Sequence, residues 1–190
     1  YLNFDLDLNL LNIKKKKIFF NNLLSLTKRE KLLNKIDGII RLNYEEKKLF
    51  KKNLIKSITT NIFLENGLIS TNKGKLFFNG GFLEFNLNTN FENNIKKISY
   101  NLLFNFEDIN KLLKKFSINK NKNIKTIYLN GSINLKSNNT KFKEIKINDT
   151  YIFNKEEILF FKENIENIVI KENIMNLFDY NKMNKFLKEI

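Results

Sequence analysis

Apolar and polar residues alternate along much of the first 150 residues. In LNFDLDLNL, residues 2–10, every second side chain is apolar and those between are Asn or Asp. Similar alternation occurs in residues 39–44, 60–65, 83–88, 97–106, 126–136 and 142–147. A period of two places successive side chains on opposite faces of a strand, so each stretch predicts a strand with one dry and one wet face. Such strands are typical of antiparallel sheets.

A short polar residue followed by glycine recurs between or within these stretches. The pairs are Asp37-Gly38, Asn66-Gly67, Asn79-Gly80 and Asn130-Gly131. Asn-Gly supplies the positive φ that a tight hairpin turn requires, so the three Asn-Gly pairs predict turns. Their spacing is too irregular for a solenoid and favours a long, meandering antiparallel sheet.

Four segments have helical spacing of apolar residues instead. They are residues 28–36, 107–116, 155–168 and 173–190. The first follows the capping-box spacing of Thr27 and Glu30, and the second begins with acids and ends with lysines, as the helix dipole favours. The sequence therefore predicts an α+β fold that is mainly β. We expect a curved antiparallel sheet with a short inserted helix and two C-terminal amphipathic helices.

The segments form one predicted domain. No Pro- or Ser-rich linker interrupts the 190 residues, so we expect a single β-rich domain over 1–190, with strands mainly in 1–150 and helices in 151–190. The chain begins at Tyr1 rather than Met, and we therefore expect a fragment of a larger protein. It contains no apolar run of the ~18 residues that indicate a membrane-spanning helix.

The charge of the chain is strongly positive. Lys and Arg number 34 against 20 Asp and Glu, a formal net charge of +14. Such a charge is compatible with nucleic acid or an anionic surface as a partner. Arg29 and Arg41 are the only arginines, however, and Pro, Cys, His and Trp are absent. This composition is typical of AT-rich coding, which favours the interpretation of the lysines as a solvated surface.

The composition also limits the possible chemistry. Without Cys or His the chain has no disulfide, thiolate nucleophile, imidazole metal ligand or His-based catalytic triad. The adjacent acids at 107–108 and 156–157 stand at predicted helix starts, where acids are favoured electrostatically. Neither a phosphate-binding loop nor a nucleophile elbow is present. We therefore predict a non-enzymatic protein with no catalytic residue, no metal and no cofactor.

The side of the strands on which the aromatic residues lie indicates whether they could bind nucleic acid. Rings that stack bases need a positive groove around them. Phe85, Tyr100, Phe104 and Phe106 lie on the apolar side of the predicted strands, away from the lysines. Their position favours a core role, and nucleic acid is the less favoured partner.

Two segments carry a resemblance to a known family. Residues 105–116, NFEDINKLLKKF, follow a predicted strand pair, and residues 129–135, LNGSINL, come next. This layout resembles the AsmA-like C-terminal region of bacterial envelope proteins, in which a strand pair leads into a D-x-x-x-L-L helix and then into an L-x-G-x-h-x-L strand. The similarity covers residues 79–136. The basic charge and the two closing helices depart from the family and leave its branch open.

The resemblance implies a non-enzymatic protein of the cell envelope. An upstream helix, not contained in this sequence, would anchor it to the bacterial inner membrane. The periplasmic part would be a curved sheet, open along one side, whose apolar inner face conducts phospholipid toward the outer membrane. The resemblance brings no catalytic residues with it.

The candidate site is accordingly the apolar side of the central strands, which would line a groove for phospholipid acyl chains. The candidate lipid-facing residues are Leu83, Phe85, Leu87, Ile98, Tyr100, Leu102, Phe104, Ile127, Leu129, Ile133 and Leu135. A packing hypothesis remains beside it, in which helix 107–116 and the C-terminal helices cover the same side chains.

Two alternatives for the function of the whole chain also stay open. One is a basic β-rich module for nucleic acid or an anionic surface, and the other is a fragment with a purely structural role.

Overall fold

The fold is available as a computed structural model. It describes residues 2–10, 35–46, 54–92, 95–119, 122–134, 136–137, 139–170 and 179–189.

Within the described residues, nine strands form one curved, unclosed sheet and lie in it in the order of the chain. The strands are β1 (Leu2–Leu10), β2 (Ile36–Glu45), β3 (Ile55–Glu65), β4 (Leu68–Phe78), β5 (Gly81–Glu92), β6 (Ile95–Phe106), β7 (Thr126–Asn134), β8 (Thr140–Ile147) and β9 (Tyr151–Ile152). From β2 onward every neighbouring pair is antiparallel. The predicted fold class, mainly β with a long meandering sheet, is confirmed.

Strand β1 differs from the antiparallel expectation. It pairs with β2 in parallel, with Leu8 opposite Leu42. Alternation indicates which face of a strand is dry, but it carries no information about the direction of the neighbouring strand. Parallel neighbours need a crossover connection rather than a tight turn, and residues 11–35 connect this pair. On the polar face the guanidinium of Arg41 forms an ion pair with Asp5 that joins the two strands.

In the part of the chain that the structure describes, three α-helices and a short π-helical segment follow or interrupt the strands. They are α1 (Ile109–Lys115), α2 (Lys155–Ile165), the π-helical segment (Glu166–Ile170) and α3 (Tyr180–Glu189). Asp108 caps α1 by accepting a hydrogen bond from the backbone N–H of Asn110. Asn154 and Glu157 form a capping box at the start of α2, which satisfies N–H groups that otherwise lack a partner.

The helix predictions agree with the structure in part. The predicted helix 107–116 corresponds to α1, and the predicted helix 155–168 changes to π-helical geometry after Ile165. Of the segment 173–190, residues 173–178 and 190 lie outside the described residues, and α3 (Tyr180–Glu189) forms within the part that is described. Most of the predicted helix 28–36 also lies outside the described residues, but its last residue, Ile36, is the first residue of β2.

The polar-glycine pairs have two different roles. Asn66-Gly67 and Asn79-Gly80 form hairpin turns, with φ of 78° at Gly67 and 91° at Gly80. At Asn130-Gly131 the turn signal is wrong and the predicted strand over 126–136 is right, because this pair lies within β7. A glycine inside a strand allows a neighbouring side chain to approach the backbone closely, and Gly131 has that role here.

Candidate functional site

The cross-strand register brings the predicted groove residues onto one face of the sheet. Leu83 lies opposite Phe104, which in turn lies opposite Ile127. The neighbouring rows join Phe85 with Leu102 and Leu129, Leu87 with Tyr100, and Ile98 with Ile133. Every predicted groove residue except Leu135, which lies outside the described residues, therefore shares this side of β5 to β7. Together with the matching side of β2 to β4 and β8, it is called the apolar face below.

The burial of the apolar face changes across the sheet. In β2 to β4 it is deepest, and Ile58 and Ile62 are each only 2% exposed. In the central strands the half-buried members are Leu83, Phe85, Leu87, Ile98, Leu102, Phe104 and Ile127. Tyr100, Leu129 and Ile133 are buried. The predicted groove thus has a half-open part in β5 and β6 and a closed part toward β8.

Helix α2 covers the closed part. Ile158 and Phe161 of α2 pack against the cluster that contains Tyr100 and Leu129. The ring of Phe161 lies 5.3 Å from that of Phe142, and the ring of Phe142 lies 6.1 Å from that of Tyr100, measured between centroids. The packing hypothesis describes this part of the face, where the chain's own helix covers the candidate residues.

Helices α1 and α3 meet beyond one end of the central strands. Leu112 of α1 packs against the cluster of β2 to β4. Phe116, the C-cap of α1, stacks on Tyr180 of α3 with 5.2 Å between ring centroids, and the Tyr180 hydroxyl donates to the carbonyl of Lys115 at 2.9 Å. Burial lowers the pKa of the Lys115 ammonium, and the positive charge of Lys56 lowers it further. The helices therefore border the apolar face on this side.

Aromatic rings cover glycines across neighbouring strands of the apolar face, and two such pairs involve the strands of the predicted groove. Phe85 of β5 lies opposite Gly74 of β4, and Tyr100 of β6 lies opposite Gly131 of β7. A Cβ on Gly74 would meet the Phe85 ring at 2.4 Å, and one on Gly131 would meet the Tyr100 hydroxyl at 2.5 Å. Ring-over-glycine pairs help to set the register and curvature of a sheet. A lone glycine inside an alternating stretch is the sequence signal for such a position.

A polar cluster lies beneath α2 that the sequence did not reveal. Tyr100 is 6% exposed, and its hydroxyl has no hydrogen-bond partner among the described residues. Burial raises the pKa of this hydroxyl and the negative charge of Glu166 raises it further, so Tyr100 remains protonated. The Glu166 carboxylate accepts hydrogen bonds from both the backbone N–H and the hydroxyl of Thr140, the latter at 2.7 Å. Neither Glu166 nor Thr140 belongs to an apolar pattern, so periodicity could not identify them.

Polar groups also mark the end of the apolar face where β5 ends and β6 begins. Lys96 is 8% exposed, and its ammonium donates to the carbonyl of Gly67 at 3.0 Å. Thr89, on the neighbouring strand, accepts from the backbone N–H of Ile69 and donates to its carbonyl. Buried polar groups are tolerated when they are hydrogen-bonded in this way. The apolar surface therefore has a polar border at this end.

The opposite, polar face carries aromatic rings beside lysines. Lys75 forms an ion pair with Glu84 at 3.0 Å and lies 5.3 Å from the centroid of the Phe82 ring. Phe82 in turn packs near Phe77, with 5.8 Å between ring centroids. Beyond β6, on β7 and β8, Lys146 lies 5.8 Å from the centroid of the Tyr128 ring. The sequence interpretation emphasised rings on the apolar face, and this aromatic patch on the polar face was missed.

The acidic residues have structural roles at the helix starts. Asp108 is the N-cap of α1. The carboxylate of Glu157 accepts from the Tyr151 hydroxyl and from the backbone N–H of Asn154, and these hydrogen bonds lower its pKa. Across the parts of the chain that the structure describes, no group of three or more acidic side chains is placed to hold a metal ion.

No family model matches the chain, and no curated protein or solved structure is detectably similar to it. Among the described helices, none has the length and apolar character needed to span a membrane.

Proposed function

We propose that the apolar face accommodates phospholipid acyl chains and that the protein is a non-enzymatic segment of an AsmA-like envelope protein. The observation that carries the proposal is the half-open part of this face, where Phe85, Leu87 and Leu102 lie side by side in a curved, unclosed sheet. A contiguous apolar surface that is not fully covered favours a lipid or partner contact. The closed part under α2 limits the site to β5, β6 and the adjoining edge of β7.

The resemblance at residues 105–116 and 129–135 supports the rest of the proposal. It suggests a periplasmic location, attachment to the inner membrane through a segment outside this sequence, and a role in phospholipid transport or outer-membrane biogenesis. The polar border formed by Lys96 and Thr89 supports an arrangement in which the lipid headgroup lies at that end of the strands.

Two neighbouring leucines on β6 provide a matched pair of substitutions that tests the proposed lipid binding. Leu102 lies on the apolar face and Leu103 lies on the polar face, and both are half-buried. Protein expressed in bacteria is analysed by native mass spectrometry for co-purified phospholipid. We expect the wild type and Leu103→Asn to retain lipid and Leu102→Asn to retain several-fold less. A lipid-free wild type, or equal retention by the two variants, would contradict the proposal.

A second candidate function is binding of single-stranded nucleic acid by the polar face. Phe77, which is exposed, and the half-buried Phe82 and Tyr128 favour it, because accessible rings beside lysines can stack bases. Lys75 and Lys146 are each paired with a glutamate, which weakens their attraction for phosphate. A fluorescent oligonucleotide tests it at ~50 mM salt, where release of counterions favours binding strongly. Binding that Phe82→Ala weakens would support this function, and absence of binding would exclude it.

A further inference from the structure

Helix α2 and the π-helical segment, residues 155–170, lie on the apolar face as one unit, called the lid below. Ile158 and Phe161 pack on the apolar cluster of the sheet, whereas Ile165 belongs to a cluster that the lid forms with Phe186 of α3. Among the described residues, no hydrogen bond between two backbone groups joins the lid to the strands that it covers. The lid is therefore held by side-chain contacts and can leave the face without breaking the sheet.

Besides the hydrogen bond from Tyr151 of β9 to Glu157, a polar contact just after α2 fastens the lid to the sheet. Glu166 is the first residue of the π-helical segment, and its carboxylate binds both hydrogen-bond donors of Thr140, the first residue of β8. Hydrogen bonds to a charged acceptor are stronger than neutral ones. Single π-helical turns inside or beside α-helices are frequent at functional sites. This pair of bonds is called the latch below.

The closed lid buries a polar group without satisfying it. The Tyr100 hydroxyl lies under the lid, directly above Gly131, and has no partner among the described residues. Buried polar groups normally have partners, so an exception requires an explanation. Movement of the lid would give this hydroxyl access to water or to an acceptor on a ligand, such as the ester carbonyl of a phospholipid.

The outer side of the lid is apolar as well. Leu159 is 52% exposed and Phe160 is 55% exposed. A surface helix normally presents polar residues to water on this side. The lid can therefore contact an acyl chain with its outer side while its inner side still lies on the sheet.

We infer that the lid is a displaceable cover of the closed part of the apolar face, that the Glu166–Thr140 latch holds it shut, and that acyl chains enter the face when it opens. The identity of the ligand rests on the proposed function, whereas the motion rests on the contacts of the lid. In the open state Tyr100, Leu129 and Ile133 extend the half-open part of the face toward β8.

Hydrogen exchange tests the motion without a ligand. Glu166→Gln removes the charge of the acceptor, and Thr140→Val removes the hydroxyl donor while keeping its shape. Either substitution is expected to raise the exchange rate of the α2 amides several-fold and to leave the β3 amides at the wild-type rate. The matched control is a substitution at Glu163, an exposed residue of the same helix. Glu163→Gln is expected to keep the wild-type exchange rates of the α2 amides. Unchanged α2 exchange in both latch variants, or equal acceleration in α2 and β3, overturns the inference.

A cross-link tests whether the lid controls access. The chain has no Cys, so Thr140→Cys with Glu166→Cys provides the only two thiols for a short bifunctional maleimide. The probe is a phospholipid with a fluorophore on its acyl chain. Glu166→Gln is expected to bind several-fold more probe than the wild type, and the cross-linked protein several-fold less. The same protein before cross-linking is the control.

The outcomes separate this inference from the proposed function. If the probe binds the wild type, Glu166→Gln and the cross-linked protein equally, the face binds lipid and the inference about the lid is overturned. If no form binds the probe although the latch variants accelerate α2 exchange, the proposed function fails and the motion of the lid stands.

Discussion

Strands β2 to β4 and strands β6 to β8 have the same alternation but different surroundings. In the first region Ile58 and Ile62 are almost completely buried within one apolar cluster. In the second, burial changes along a single cross-strand row, since Leu102 is half-buried whereas Leu129, its neighbour on β7, is buried beneath α2. Hydrophobicity therefore decides which face a side chain joins, and the element lying above that face decides how exposed it is.

The largest expected effect comes from truncating one side chain in each region. Ile58→Ala should lower the free energy of unfolding by about 2–5 kcal/mol, the usual cost of emptying a packed core position. Leu102→Ala should cost less than half as much, because its side chain already contacts water. Chemical denaturation measures both variants. Equal losses would show that the central strands are packed as tightly as β2 to β4.

The two glycines covered by rings provide the next comparison. In Gly131→Ala the new methyl meets the backbone carbonyl of Lys141 at 2.3 Å, whereas in Gly74→Ala its nearest contacts are side-chain atoms of Phe85 and Thr60. Backbone atoms shift less readily than side-chain atoms. Gly131→Ala should therefore lower the free energy of unfolding by about 2–3 kcal/mol, toward the upper end of the range for overpacked cores. Gly74→Ala should cost about 1 kcal/mol. The midpoints of denaturation measure the difference, and the reverse order would contradict this account.

A smaller change in the free energy of unfolding, of opposite sign, is expected for a substitution at Tyr100. Tyr100→Phe removes the buried hydroxyl without a partner and keeps the ring over Gly131. The variant should be more stable by about 1 kcal/mol, because it no longer buries an unsatisfied polar group. It should also slow hydrogen exchange in α2, since the closed lid is then favoured. A less stable variant would indicate that the hydroxyl is satisfied in solution.

The smallest expected effect concerns the start of α2 and its dependence on pH. Hydrogen bonds from the Tyr151 hydroxyl and the Asn154 N–H lower the folded-state pKa of Glu157. Its contribution to stability is therefore complete above the ordinary glutamate pKa of about 4.3 and is lost as the pH falls through the lower folded-state value. The melting temperature should show this loss below about pH 4. Glu157→Gln should remove that part of the pH dependence, and the neighbouring Glu156→Gln should retain it.

The sequence predicted the faces of the sheet well because alternation is a local property. Leu83, Phe85 and Leu87 share a face in any extended strand. Helix α1 was predicted for a similar reason, since its cap at Asp108 and the positions of its apolar residues lie within a few residues of one another. These features need no knowledge of which strands become neighbours.

The errors and omissions concern contacts between distant residues. Asn130-Gly131 has the composition of a turn, but Tyr100 and Lys141 on the neighbouring strands make it the close-contact position of β7. The parallel direction in which β1 pairs with β2 is not encoded in the alternation of either strand. Glu166 and Thr140 are 26 residues apart, and no spacing rule connects them.

The sequence alone determined that this protein is a mainly β chain with one apolar and one polar face along its strands. It also determined that these 190 residues contain no His or Cys side chain. The tertiary structure decided how much of the apolar face is covered, which places the half-open part in β5 and β6 and the closed part under α2. The physical reason is that the period of side chains follows from backbone geometry within a strand, whereas coverage depends on packing between elements that are distant in the chain.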